Sequence, residues 1–170
     1  MASRRGLLRA LGGLVGLSTV PGVQADSTNT VRLVEADPEA GFNYPYYLSV
    51  PESLPDDQLP LLVEPNNTGT TDDDYDVHRA SARDQAESGW ISDRLGVPLL
   101  VPAFPRPKSD PVHWRHNPHE LNRAVMLLED GPLERVDLQL RRMIRHAQRL
   151  LSEDGHAVRD EVLMNGFSSS

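Results

Sequence analysis

The run Glu161-Val162-Leu163-Met164-Asn165 leads directly into Gly166-Phe167-Ser168-Ser169-Ser170. A glycine, one residue, then a serine after an apolar strand-like segment is the spacing of a nucleophile elbow, G-x-S-x-G. The chemistry is attack by a serine hydroxyl held clear of a sheet on a sharp strand-to-helix turn. Residues two before and two after the serine pass close to neighbouring backbone, so they must be small. Gly166 and Ser170 meet that demand, although Ser170 stands where the motif has its second glycine. The backbone N–H of Ser169 is the expected oxyanion donor. The plain alternative for the same residues is a serine-rich tail.

A second group with chemical potential is His113-Trp114-Arg115-His116-Asn117-Pro118-His119, followed by Glu120. Imidazoles this close can hold zinc or copper. Pro111 and Pro118 argue against one regular helix, and no distant ligand set accompanies them, so the segment reads as a polar loop shaping a site's entrance. Trp90 is expected in the core, and Trp114 is open between packing and stacking on a sugar. The other histidines are His78, His146 and His156.

The elements that must position these residues follow from the apolar pattern. Val31 to Val34 and Tyr44 to Val50 predict two strands of an N-terminal antiparallel hairpin, with Asp37-Pro38 and Gly41 as turn material. Leu59 to Val63 is a short continuous apolar run, expected as a strand covered on both faces. The turn-rich stretch from Glu64 to Thr71 ends it. One helix is expected from Asp72 to Leu95, with Val77, Ala80, Ala86, Trp90, Ile91 and Leu95 on its apolar face. Its acidic first turn complements the helix dipole, and Gly96 supplies the stop. Val97 to Ala103 predicts another strand, followed by a Pro- and His-bearing loop and a short helix around Glu120 to Leu128. Val136 to Leu151 predicts the clearest helix: Val136, Leu140, Met143, Ile144, Ala147, Leu150 and Leu151 recur at helical spacing. Its arginines, Arg141, Arg142, Arg145 and Arg149, read as a solvated face. The strand before the elbow is expected over Glu161 to Asn165. Alternation of strand and helix after a hairpin predicts an α/β fold with a mostly parallel sheet. The Asn66–Thr70 loop, the Phe104–His119 loop and Ser168 then share the edge formed by the strands' C-terminal ends, where sites gather.

The N-terminus carries Arg4-Arg5 ahead of a Gly-rich apolar stretch and small residues at Val23-Gln24-Ala25. Residues 1–25 therefore read as a twin-arginine export signal, not a membrane span, and residues 26–170 as one domain. The expected partner is the twin-arginine export machinery and the expected location exported or cell-surface, with no stable membrane insertion after signal removal. The chain has no cysteine, so no disulfide supports it. Its formal charge is −8, and loss of Arg4, Arg5 and Arg9 would move it to −11. Lys108 is the single lysine among 17 basic residues. Acidic groups cluster at Asp56-Asp57 and Asp72-Asp73-Asp74-Tyr75-Asp76. Such a surface repels nucleic acid and anionic membranes, and it looks like that of salt-adapted proteins.

Three stretches carry a family resemblance: Leu61-Leu62-Val63-Glu64-Pro65-Asn66-Asn67-Thr68-Gly69, Val101-Pro102-Ala103-Phe104-Pro105-Arg106-Pro107, and Leu163 to Ser170. Together, over roughly Tyr44 to Ser170, they resemble the N-terminal half of the α/β-hydrolase superfamily, on its exported, esterase-like side. The resemblance implies a serine hydrolase acting on small or polymeric esters through an acyl-enzyme on Ser168, with no cofactor and no metal. It implies oxyanion donation by the backbone amides of Ser169 and of Asn67 or Thr68. The superfamily's His-Gly in this loop is replaced by Asn66-Asn67-Thr68-Gly69. In the superfamily the acid and then the histidine follow the nucleophile. All six histidines here precede Ser168, so the chain is expected to be a truncated domain with little triad-level activity and an exposed apolar edge at its last strand. The competing expectation is a non-enzymatic exported binding module or a degenerate hydrolase remnant.

Overall fold

A computed structural model of the chain describes residues 29–65, 72–106, 127–129, 131 and 133–166. Its frame is a five-stranded sheet made of β1 (Thr30–Val34), β2 (Tyr46–Val50), β3 (Leu59–Val63), β4 (Leu99–Pro102) and β5 (Val158–Met164), in the spatial order β1-β2-β4-β3-β5. β2 pairs antiparallel with both β1 and β4, while β3 pairs parallel with β4 and β5. One strand, β2, is thus reversed against the common direction of the other four. This is the α/β fold with a mostly parallel sheet and an N-terminal antiparallel hairpin that the alternation of elements predicts.

Side chains alternate across a strand, so each strand divides its apolar residues between two faces. Tyr46 and Leu48 of β2, Leu61 and Val63 of β3, and Leu100 of β4 point into one core. Tyr47, Leu62, Leu99 and Val101 point into the other. The first core is closed by α3 (Val136–Glu153), which buries Val136, Leu140, Met143, Ala147 and Leu151. The second is closed by α1 (Tyr75–Ser88) through Ala82 and Ala86. The two connections between parallel strands, one through α1 and one through α3, therefore lie on opposite faces, and both faces of β3 and β4 are covered.

The hairpin turn closes through backbone bonds between Asp37 and Phe42, with the Ala40 N–H donating to the Asp37 carboxylate at 2.9 Å. Gly41 turns at φ +88, and a Cβ there would lie 2.4 Å from Arg142 Nη1, so the turn is also fitted to α3. The same junction is held by buried Gln139. Its carbonyl oxygen accepts the Asn43 N–H at 2.9 Å, and its amide donates to the Glu134 carbonyl at 2.7 Å.

Four expectations need correction. The helix expected over Asp72–Leu95 is two: α1 stops at Gly89, whose φ of 37 is left-handed, and α2 (Trp90–Leu95) starts anew. Its buried face is His78, Ala82 and Ala86, spaced four apart, whereas Val77 and Leu95 are exposed. Trp90 is 61% exposed with Arg94 stacked over its ring 5.5 Å away, so it is not a core residue. The last strand begins at Val158, three residues before Glu161. The expected short helix of 120–128 lies almost wholly outside the described residues. Among the described residues, no helix is long and apolar enough to cross a membrane.

Candidate functional site at the sheet's C-terminal edge

Ser168, Ser169, Asn67 and Thr68 all lie outside the described residues, as do His113, His116 and His119. What the structure describes is the platform from which their segments depart. β3 and β5 are parallel neighbours, and their ends are held level: the Asn165 N–H donates to the Val63 carbonyl at 3.0 Å, and the Glu64 N–H donates to the Leu100 carbonyl at 3.0 Å. The chain therefore leaves the sheet toward residue 67 and toward residue 168 from adjacent strand ends.

Glu64 is the first residue past β3. Side-chain hydrogen bonds reach its carboxyl from Asn165 and Gln85, but burial outweighs them and raises its pKa above the ordinary carboxylate value. A cleft of about 590 Å³ opens beside it, lined among others by Glu64, Gln85, Trp90, Asn165 and Gly166. It lies directly next to the start of the predicted elbow. The position of Glu64 has a sequence signal, a carboxylate ending an apolar strand run, though the pattern of a nucleophilic site gives it no role.

The neighbouring strand end is built around an aromatic group. Tyr44 meets Tyr75 at 5.7 Å and Phe104 at 5.9 Å between ring centroids, and the Tyr75 hydroxyl donates to the Ala103 carbonyl at 2.8 Å. Burial pushes the Tyr44 phenol up to about 12 and raises that of Tyr75 further. These phenols stay protonated and act as donors and packing surfaces, not as bases.

His78 completes this edge, and sequence reasoning passed over it. It is 1% exposed, with Nδ1 3.0 Å from the Arg106 backbone nitrogen and Nε2 3.2 Å from that of Asp72. Burial first, and then the nearby Arg106 charge, lower its pKa; Asp72, Asp74 and Asp73 pull the other way without reversing the effect. The Arg106 side chain is itself fully buried, and desolvation lowers its pKa to about 10, which leaves it cationic at neutral pH. The available signal was the four-residue spacing of His78, Ala82 and Ala86, which marks one helix stripe but contains no strongly apolar residue.

The other two described histidines sit elsewhere. The Tyr46 hydroxyl and His146 Nδ1 are 2.8 Å apart on the α3 face, and burial lowers the pKa of His146. His156 follows the turn that ends α3. His146 is held at β2, which the strand order separates from β5 by β4 and β3, and His156 precedes the start of β5. No group of three His, Cys, Asp or Glu able to hold a metal occurs among the described residues.

No family model matches the chain, and no curated protein is significantly similar to it. Among solved structures, a thermostable esterase is similar to it with a TM-score of 0.44 and 21% identity. The match covers 83% of this chain and 34% of the esterase, so the chain spans about a third of that protein's length.

Proposed function

We propose that this chain carries the nucleophile and oxyanion half of an exported serine hydrolase acting on carboxylic esters. The observation behind the reading is the level pair of parallel strand ends at Glu64 and Asn165, from which the Asn67-Thr68 segment and the Gly166-Phe167-Ser168 segment both depart. Ser168 would attack the ester carbonyl, releasing the alcohol and leaving an acyl group on its oxygen. Water would then release the acid. Backbone amides of Ser169 and of Asn67 or Thr68 would stabilise the oxyanion in both steps.

The base that takes the Ser168 proton comes from outside the described residues. His78 is buried with both ring nitrogens facing backbone N–H groups, His146 is hydrogen-bonded to Tyr46 of β2, two strands from β3, the partner of β5, and His156 precedes β5 at its opposite end. The export reading rests on Arg4-Arg5 and the segment after them, and the salt-adapted reading on the excess of short carboxylates over lysine.

The test is hydrolysis of short-chain nitrophenyl esters by the full-length protein, together with labelling by a fluorophosphonate. The expected result is a phosphonyl adduct on Ser168 and loss of turnover by at least ~10³-fold in Ser168→Ala. Undiminished turnover in Ser168→Ala, or an adduct on another residue, overturns the reading.

A further inference from the structure

His78 occupies an unusual hydrogen-bonding position for a histidine. Both of its ring nitrogens face backbone N–H donors from two different parts of the chain: Arg106, just beyond β4, at 3.0 Å, and Asp72, just before α1, at 3.2 Å. A neutral imidazole has one acceptor nitrogen, and an imidazolium has none. The arrangement therefore admits one preferred tautomer. With the proton on Nε2, Nδ1 accepts the Arg106 N–H, and the Asp72 N–H turns to the Arg106 carbonyl, which is 3.1 Å away. Arg106 thus accepts from Asp72 while donating to His78, and two consecutive hydrogen bonds link the three residues.

We infer that His78 is a positioning residue: as a neutral imidazole it holds the chain's exit at Arg106 and, through the Arg106 carbonyl, its re-entry at Asp72, and protonation removes the one acceptor on which this hold depends. The inference rests on the proposed hydrolase reading where it concerns catalysis, because Asp72 closes the segment that contains Asn67 and Thr68. Protonation would place an N–H on Nδ1 against the Arg106 N–H, beside the buried Arg106 guanidinium. The charged groups around the ring are Arg106, which opposes the imidazolium, and Asp72, Asp73 and Asp74, which favour it. Tyr75 packs against the ring at 6.3 Å as a protonated phenol. A histidine here, in place of a non-titrating acceptor, makes the geometry of the edge depend on pH below the ordinary imidazole range.

The prediction separates the clamp from the catalysis. In ¹⁵N-histidine NMR of the full-length protein, His78 should be the Nε2–H tautomer at neutral pH. On acidification the amides of Arg106 and Asp72 should lose exchange protection together, as His78 titrates below about 6.5. Independent exchange of the two amides, or an Nδ1–H tautomer, overturns the inference whatever Ser168 does. For catalysis, His78→Phe keeps the ring volume and removes the acceptor; kcat should fall by ~10- to 100-fold, as misplacement of a donor does, with KM little changed. His78→Asn offers an amide oxygen near the place of Nδ1 and does not titrate near neutral pH. It should restore most of kcat and shift the acid limb of the pH profile to lower pH. An unchanged kcat in His78→Phe, or an acid limb unmoved in His78→Asn, overturns the positioning role. If His78→Phe does not fold, the Asn variant's acid limb decides alone. Loss of the Ser168 assignment with the amide result intact would strike the hydrolase reading and leave the clamp standing.

Discussion

The two helices that cover the sheet do so by opposite means. α3 presents Val136, Leu140, Met143, Ala147 and Leu151, a stripe of mostly large side chains that fills one core. α1 presents Ala82 and Ala86, which allow close approach to the strands, and then His78, which ends the stripe in hydrogen bonds at the sheet edge. Packing on the first face is mostly apolar, with Gln139 and His146 as polar members at its margin. On the second it is thin, and part of its fit is polar. The face held by small residues and a histidine is the one facing the proposed site, so stability and positioning are divided between the two sides of one sheet.

Substitutions on the two helices test this division. The largest stability effect is expected from Met143→Ala on α3, a fully buried side chain, at ~2–5 kcal/mol. It should appear as a lower denaturation midpoint with kcat of the surviving folded protein unchanged; a stable variant with impaired turnover would break the comparison. Ala82→Leu on α1 should cost ~1–3 kcal/mol through overpacking between helix and strands. Because α1 carries His78, this variant should also lower kcat, which Met143→Ala should not. Gln139→Ala leaves the Asn43 N–H and the Glu134 carbonyl without their side-chain partner, and should cost ~1–3 kcal/mol. Chemical denaturation measures each value.

The smallest effect is the pH dependence of stability. His78 and His146 have lowered folded pKa values. Below an unfolded value near 6.5 the unfolded chain binds more protons than the folded one, so stability rises with pH in that window. The contribution is complete above about 6.5 and is lost as pH falls toward the folded values. Glu64 acts in the opposite sense: its raised pKa makes ionisation costly, so its contribution is lost as pH rises out of the carboxylate range. A melting temperature that climbs from roughly pH 5 to 7, with a steeper climb in Glu64→Gln, is the expected result. A flat curve in both proteins would contradict the assignment of these groups as buried.

How far the sequence could be read follows from the same contrast. α3 was legible because Leu, Met and Val at helical spacing are buried wherever they recur together; only Gln139 was added to its inner face. α1 was not, since alanine and histidine carry little apolar signal, and Val77 and Trp90 carry more but point outward. The left-handed backbone of Gly89 ends α1, a stop the apolar pattern does not mark. β3 and β4, apolar on both faces, were visible as short continuous runs. The start of β5 was hidden by Arg159 and Asp160, which are exposed although they lie within the strand. At the site, a short motif marked the strand ends, whereas the His78 clamp joins Asp72 to Arg106, residues brought together by tertiary structure alone.

The pairing of β3 with β5 sets Leu61 against Val162, across the whole of α1, β4 and α3. Closing so long a loop is entropically costly before the intervening elements are compact, and contacts of high sequence separation form slowly. The hairpin and the helices can form from local contacts, whereas β5, among the described strands, pairs with β3 alone and must wait for that long closure. The strand that leads to Ser168 is therefore expected to join the sheet late. In a folding experiment, protection of its amides would mark completion of the whole frame, and the predicted nucleophile would gain its platform only when everything beneath it is already assembled.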